Sequence, residues 1–185
     1  MTQQIETTEL VTGTWSIDPS HSEVGFSVRH LMSKVKGTFA DFTGTITTTS
    51  ADPVDSSVEV TIVSSSISTN NAQRDGHLKS ADFFDPTNGG SLAFVSKSIH
   101  EGADGYVISG DLTINGITRS VDLDAEFFGV GTDAYGHTVL GAEATTSINR
   151  HDFKVDWNMP LDGGRFLLGP KIEINLSVEA LRSDA

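Results

Sequence analysis

An Asn-Gly pair set between two alternating runs constrains this chain more than any other feature. Residues 107–114 alternate apolar and polar side chains, Asn115-Gly116 turns, and residues 117–128 alternate again. Asn and Gly both accept the positive φ of a type I′ turn, so the segment predicts an antiparallel hairpin. The same period of two recurs elsewhere. Val24, Phe26, Val28 and His30 share one face of residues 23–30, against Glu23, Ser27 and Arg29 on the other. Phe42, Gly44 and Ile46 share a face, as do Val58, Val60 and Ile62. Residues 92–100 and 138–148 read as strands. Residues 171–181 close the chain with Ile172, Ile174, Leu176, Val178 and Ala180 alternating against polar neighbours. With a short first strand over 14–17, ended by Asp18-Pro19, the total is about eight main strands. That is the count of a small up-and-down antiparallel barrel. Spacing alone fits an open sandwich as well.

Four stretches interrupt the pattern. Residues 31–36 are short and suit one helical turn. Residues 70–85 read as a short helix, with Thr69 or Asn70 as cap and Pro86 as stop. Residues 151–157 suit a short strand, and 158–169 read as loop. Residues 1–12 are polar and acidic and are expected to be a flexible arm, leaving 13–182 as one barrel domain.

Composition removes several function classes. The chain has no Cys, so thiol catalysis, disulfides and thiolate metal sites are out. A formal net charge of −13 argues against nucleic acid, and against electrostatic docking on anionic lipid, since both need Lys and Arg. No apolar run is long enough to span a membrane as a helix. The first residues show neither a basic nor an apolar leader region, so a cytoplasmic location is expected. Gly89-Gly90 and Gly163-Gly164 are not followed by the Lys-Ser/Thr of a phosphate loop, and no G-x-S-x-G elbow is present. Asp122 and Asp124 alternate on an outward face and read as solubility.

Polar residues near the apolar face carry competing readings. His30 ends an apolar face, where it either meets a ligand headgroup at a barrel mouth or is satisfied by the backbone. Arg74, Asp75 and His77 form a second cluster. His30, Asp75 and His77 together suit a divalent metal or acid–base chemistry, but their spacing matches no metal motif, and a hydrogen-bond network is the simpler reading. Arg150, Arg165 and Lys171 have the chemistry to meet a pyrophosphate, though surface solvation accounts for each.

Several segments resemble a known family. They are residues 14–22 (Thr14-Trp15-Ser16-Ile17-Asp18-Pro19-Ser20-His21-Ser22), 24–32 and 35–39. Residues 74–85, beginning Arg74-Asp75-Gly76-His77-Leu78, 110–119 around the Asn-Gly turn, 150–153, Trp157-Asn158 and Val178-Glu179-Ala180 also match. In this order they resemble the YceI-like, polyisoprenoid-binding proteins over about residues 13–182. The resemblance implies an eight-stranded, lipocalin-like antiparallel barrel with one or two short helices, whose interior holds a long isoprenoid lipid of polyprenyl or quinone type. It also implies a homodimer, as in several members. No local motif supports a catalytic residue, and no cofactor is expected besides the bound lipid. Many relatives are periplasmic and carry a leader.

Eight strands enclose a space that side chains just fill, or that holds one small ligand. The inward faces here are dry and branched, which suits either a packed core or a hydrocarbon chain. A filled core is the commoner outcome for a small sheet protein; the resemblance favours the hollow one. In that case the residues expected to touch lipid are Phe26, Val28, His30, Phe39, Phe42, Val60, Ile62, His77, Leu78, Phe83, Phe84, Phe94, Leu112, Ile114, Trp157 and Ile174. A dimeric, stress-related structural protein with a filled barrel is the further alternative.

Overall fold

The computed structural model describes residues 9–87 and 89–183. Its strands are β1 (Gly13–Ile17), β2 (Glu23–His30), β3 (Ser33–Phe39), β4 (Phe42–Thr48), β5 (Ser56–Val63) and β6 (Ile67–Ser68). After helix α1 (Ala72–Leu78) come β7 (Ser91–Glu101), β8 (Tyr106–Ile114), β9 (Ile117–Thr132) and β10 (Thr138–Asn149). A small hairpin of β11 (Pro160–Leu161) and β12 (Arg165–Phe166) leads into β13 (Leu168–Arg182).

All sheet pairings are antiparallel, and the sheet closes on itself. Three of its walls are bent in two. β1 and β2 run one after the other along β13: Ile17 faces Ala180, and Val24 faces Leu176. β4 and β3 take the next position, beside β1 and β2 respectively, and β5 and β6 the one after. With β7, β8, β9, β10 and β13 this gives an eight-walled up-and-down barrel with one α-helix among the described residues. The bend between β1 and β2 is held by Asp18, whose carboxylate accepts from Ser20 N at 2.8 Å and lies 2.8 Å from His21 Nδ1.

The Asn115-Gly116 hairpin forms as expected, with φ of 52° and 73° and Ile114 opposite Ile117. Residues 31–36 do not make a helical turn. His30 pairs with Ser33, so Leu31-Met32 is a second two-residue hairpin loop, and Leu31 takes φ 53°. A non-glycine residue there costs about 1–3 kcal/mol; the β2–β3 pairing on either side enforces it.

The expected strand over 151–157 is instead a 3-10 helix, Arg150–Phe153. Asn149 caps it by accepting from His151 N, and Lys154 ends it at φ 54°. A local cap competes successfully with strand pairing here. The expected loop over 158–169 contains the β11–β12 hairpin and the start of β13. The cap of α1 is Asn71, which accepts from Arg74 N at 2.9 Å, one or two residues later than expected. β9 also runs on to Thr132, past a bulge at Phe128, where the pairing with β10 shifts register.

One end of the barrel is plugged. Trp15 is fully buried, and its Nε1–H donates to Thr48 Oγ1 at 3.0 Å, which donates in turn to Val11 O at 2.6 Å. Leu10, Val130, Leu140 and Ala180 pack around it, all buried. Of the segment expected as an arm, residues 1–8 lie outside the described residues, while Leu10 is part of this plug. No helix among the described residues is long and apolar enough to cross a membrane.

Candidate functional site

Beyond the plug the barrel is hollow. A cavity of about 720 Å³ runs from Ile17, Phe42 and Ile46 to the loops around α1 and Trp157. That volume lies within the range of about 300–1,000 Å³ usual for small-molecule sites. The wall is built by the period-two faces. Val24, Phe26, Val28 and His30 come from β2, Val58, Val60 and Ile62 from β5, Leu112 and Ile114 from β8, and Ile172, Ile174 and Leu176 from β13. Many of them are only half-buried although they point inward, because they border the cavity, while Leu112 and Ile114 are buried in a cluster with Phe94, Leu123 and Phe153.

The structure brings all sixteen expected residues to the cavity wall: Phe26, Val28, His30, Phe39, Phe42, Val60, Ile62, His77, Leu78, Phe83, Phe84, Phe94, Leu112, Ile114, Trp157 and Ile174. Aromatic rings gather in two groups. Phe39 lies between Phe26 and Phe84, with ring centres 5.7 and 5.8 Å away. His77, Phe83 and Trp157 form a triangle with ring centres 4.7–5.4 Å apart. This second group ties α1 to the segment after the 3-10 helix.

Glycines let two of the rings lie back against the wall. Gly37 pairs directly with Phe26, and a Cβ added to Gly37 would sit 2.4 Å from Phe26 Cζ. A Cβ on Gly110 would sit 2.6 Å from Phe94 Cζ and 2.5 Å from Val95 O.

Polar groups bordering the cavity include Thr69, Asn71, Gln73, Arg74 and His77 around α1, and Ser22, Glu23, Glu143, Thr146 and Ser177 elsewhere on the wall. Arg74 donates through Nε to Thr69 Oγ1 at 2.7 Å and through Nη2 to Thr69 O at 3.0 Å. Asp75 Oδ1 accepts from Thr69 N at 2.9 Å and from Thr69 Oγ1 at 2.5 Å. Burial works to raise the Asp75 carboxyl, but the Thr69 hydrogen bonds and the Arg74 charge outweigh it and hold it below the ordinary aspartate value. His77 Nε2 lies 2.7 Å from Asp82 Oδ2. These contacts make Arg74 and Asp75 a brace for α1. His30, Asp75 and His77 do not converge on a point where a metal ion would bind them. Among the described residues the only group with such geometry is Asp18, His21 and Glu179, outside the cavity wall except for Ile17 and Ser22 beside it.

Arg150 departs from its expected surface role. It is 3% exposed and borders the cavity, donating to Gly169 O at 3.0 Å, Val155 O at 2.6 Å and Trp157 O at 2.9 Å. Burial lowers its pKa, opposed by the charge of Asp156. Its work is to fold residues 150–157 back so that Phe153, Val155 and Trp157 reach the wall. Arg165 and Lys171 stay exposed. Sequence reasoning missed Val35, Phe153, Val155, Leu167 and Leu168 because the segments holding them were read as helix, short strand or loop. It missed Asn71, Gln73 and Arg74 as wall residues because their direction depends on how α1 docks. Glu23, expected on the outer face, also borders the cavity.

The family model for the YceI-like domain matches residues 15–180. The chain belongs to the YceI-like family. Protein YceI of Shigella flexneri is 38% identical over 166 residues, which are 88% of this chain and 82% of that one. Among solved structures, the YceI protein of Campylobacter jejuni is 32% identical, with a TM-score of 0.71 over 90% of this chain and 96% of that one. A polyisoprenoid binding domain from Saccharophagus degradans superposes with a TM-score of 0.67 over 94% of this chain and all of that one. At 12% identity that likeness is one of fold. The YceI-like barrel is thus the scaffold, and the cavity is the site it presents.

Proposed function

We propose that this YceI-like protein binds one long-chain isoprenoid lipid inside its barrel, to store, carry or sequester it. The observation that carries the proposal is a closed barrel whose apolar cavity is plugged at one end and ringed by aromatic and polar residues at the other. The naming of the Saccharophagus degradans neighbour as polyisoprenoid-binding supports it. The sixteen wall residues are its proposed contacts, with Phe83, Phe84 and Trp157 as a lid and His30, His77, Arg74 and Gln73 near the headgroup.

The energetics are favourable. Each buried CH₂ is worth about 0.8 kcal/mol, so an isoprene unit of about five carbons contributes roughly 4 kcal/mol before ordering costs. At about 30 Å³ per carbon-sized atom, the volume share of a water molecule, the 720 Å³ cavity takes about 24 such atoms, or four to five isoprene units. Four units, about 16 kcal/mol, keep about 6–11 kcal/mol after about 5–10 kcal/mol of association cost, a range from tens of micromolar to nanomolar affinity. Longer tails then project through the mouth.

Native mass spectrometry of the purified protein tests this, followed by organic extraction and by titration with polyprenyl lipid and quinone. The expected result is one lipid per chain, or stoichiometric uptake on addition. Protein that is empty and takes up neither lipid overturns the proposal.

A further inference from the structure

The mouth of the barrel carries an apolar collar that the cavity does not use. Seven large apolar side chains are notably exposed among the described residues, and four of them, Leu31, Met32, Met159 and Phe166, belong to two adjoining hairpins. Leu31 N donates to Leu167 O, and Leu167 N donates to Met159 O, both at 3.0 Å, while Phe166 pairs with Pro160. Met32 is 90% exposed at the tip of the β2–β3 loop. The collar adjoins the cavity directly, because His30, Val35, Leu167 and Leu168 lie both in these segments and on the cavity wall.

Charge is distributed to match. Residues 29–36 and 165–171 hold Arg29, Lys34, Lys36, Arg165 and Lys171, five of the twelve Lys and Arg in the chain, and no Asp or Glu. The acids near them include Glu173, which pairs with Lys34 and lies 3.9 Å from Lys171, Asp124, which lines a surface groove with Lys171 and Glu173, and Asp162 in the β11–β12 turn. Five cations against three anions leave a local excess of positive charge at this end, so the formal net charge of −13, which argues against anionic lipid for the molecule as a whole, does not hold for the collar. Surface charge of both signs keeps a protein soluble, but exposed Met, Leu and Phe set among Lys and Arg match an anionic lipid surface. Apolar tips enter the acyl boundary while the cations stay with the headgroups. The contrast with Asn115-Gly116 is direct, since that two-residue loop carries no apolar tip.

We infer that the Leu31-Met32 and Met159–Phe166 hairpins dock the barrel mouth on an anionic bilayer. The contact stands on the collar itself; its purpose, passing lipid between bilayer and cavity, rests on the function proposed above.

Flotation of the full chain with vesicles tests it, using phosphatidylcholine alone and phosphatidylcholine mixed with phosphatidylglycerol. The protein is expected to float with the mixed vesicles, weakly or not at all with phosphatidylcholine, and to be released by high salt. The double variant M32D/F166D should lose about tenfold or more in partition, as should K36Q/R165Q. Tyr135→Asp, an equally exposed side chain in the β9–β10 turn at the plugged end, should change nothing. Every protein is also loaded with polyprenyl lipid from detergent. Normal loading by M32D/F166D shows that the variant is folded. Failure of the native chain to float, or equal flotation by M32D/F166D, overturns the docking. Failure of the native chain to load while it still floats overturns the lipid-binding function and leaves docking intact.

Discussion

The two ends of this barrel share the same walls and handle the same kind of side chain in opposite ways. At the plugged end Trp15, Leu10, Leu140 and Ala180 have almost no exposure, and each surrounds the others. At the open end Val28, Ile172, Ile174 and Leu176 point inward just as strictly, yet stay half-buried along the cavity. β13 serves both: Ala180 is in the plug and Ile174 is on the wall. Hydrophobicity therefore does not separate a core from a binding site here. What separates them is what lies across the barrel: Trp15 and Leu10 fill the plug, while the wall residues face open space, and an apolar surface without close partners forgoes dispersion contact until a ligand supplies it.

Four measurements break or sharpen that contrast. The largest effect is expected at the plug. Trp15→Ala should cost about 3–5 kcal/mol in urea unfolding, while the folded fraction keeps its lipid affinity. A matching loss of affinity would mean that the ends are one unit. Next comes Phe26→Asp, which sets an unpaired carboxylate among the wall residues. Lipid uptake should fall about a hundredfold in fluorescence titration, against less than twofold for Glu59→Ala on the outer face of β5. Third, Leu140→Ala and Leu176→Ala remove the same atoms from the two ends. The first should cost about 2–5 kcal/mol and the second about 1 kcal/mol without lipid; equal costs in parallel urea titrations would show that the wall is packed.

The smallest effect is on pH. The Asp75 carboxyl is held below its ordinary value in the folded chain. Its contribution is therefore fully present above the unfolded aspartate pKa, and is lost as pH falls through the lowered folded value. The urea midpoint should drop as pH falls below the ordinary aspartate range of about 4, and Asp75→Asn should show a smaller drop. Equal drops would assign the acid sensitivity elsewhere.

The period of two was enough to place the inward faces of β2, β5, β8 and β13, because a pleated strand has no other way to segregate its side chains. It was not enough to find the β2–β3 hairpin, since Leu-Met carries none of the chemistry that marks a tight turn. Nor did it show the 3-10 helix at Arg150, whose guanidinium gathers the carbonyls of Val155, Trp157 and Gly169. Arg150 looked like a surface cation for the same reason: its partners are backbone atoms, which leave no mark in a sequence. The closed plug was visible only in part, through Trp15 and the last strand, because Leu10 lies in a segment whose polarity suggested an arm.

The glycines beneath Phe26 and Phe94 have a consequence for what fits inside. Each ring occupies ground that a methyl group would claim, so the bore of the vessel is regulated by atoms that are missing at positions 37 and 110. Alanine at 37 would displace the Phe26 ring and crowd Ser68 O at 2.9 Å, whereas at 110 it would displace the Phe94 ring and also press on Val95 O at 2.5 Å, so the strands must shift as well. The girth of an acceptable cargo can thus be retuned without altering any residue that touches it.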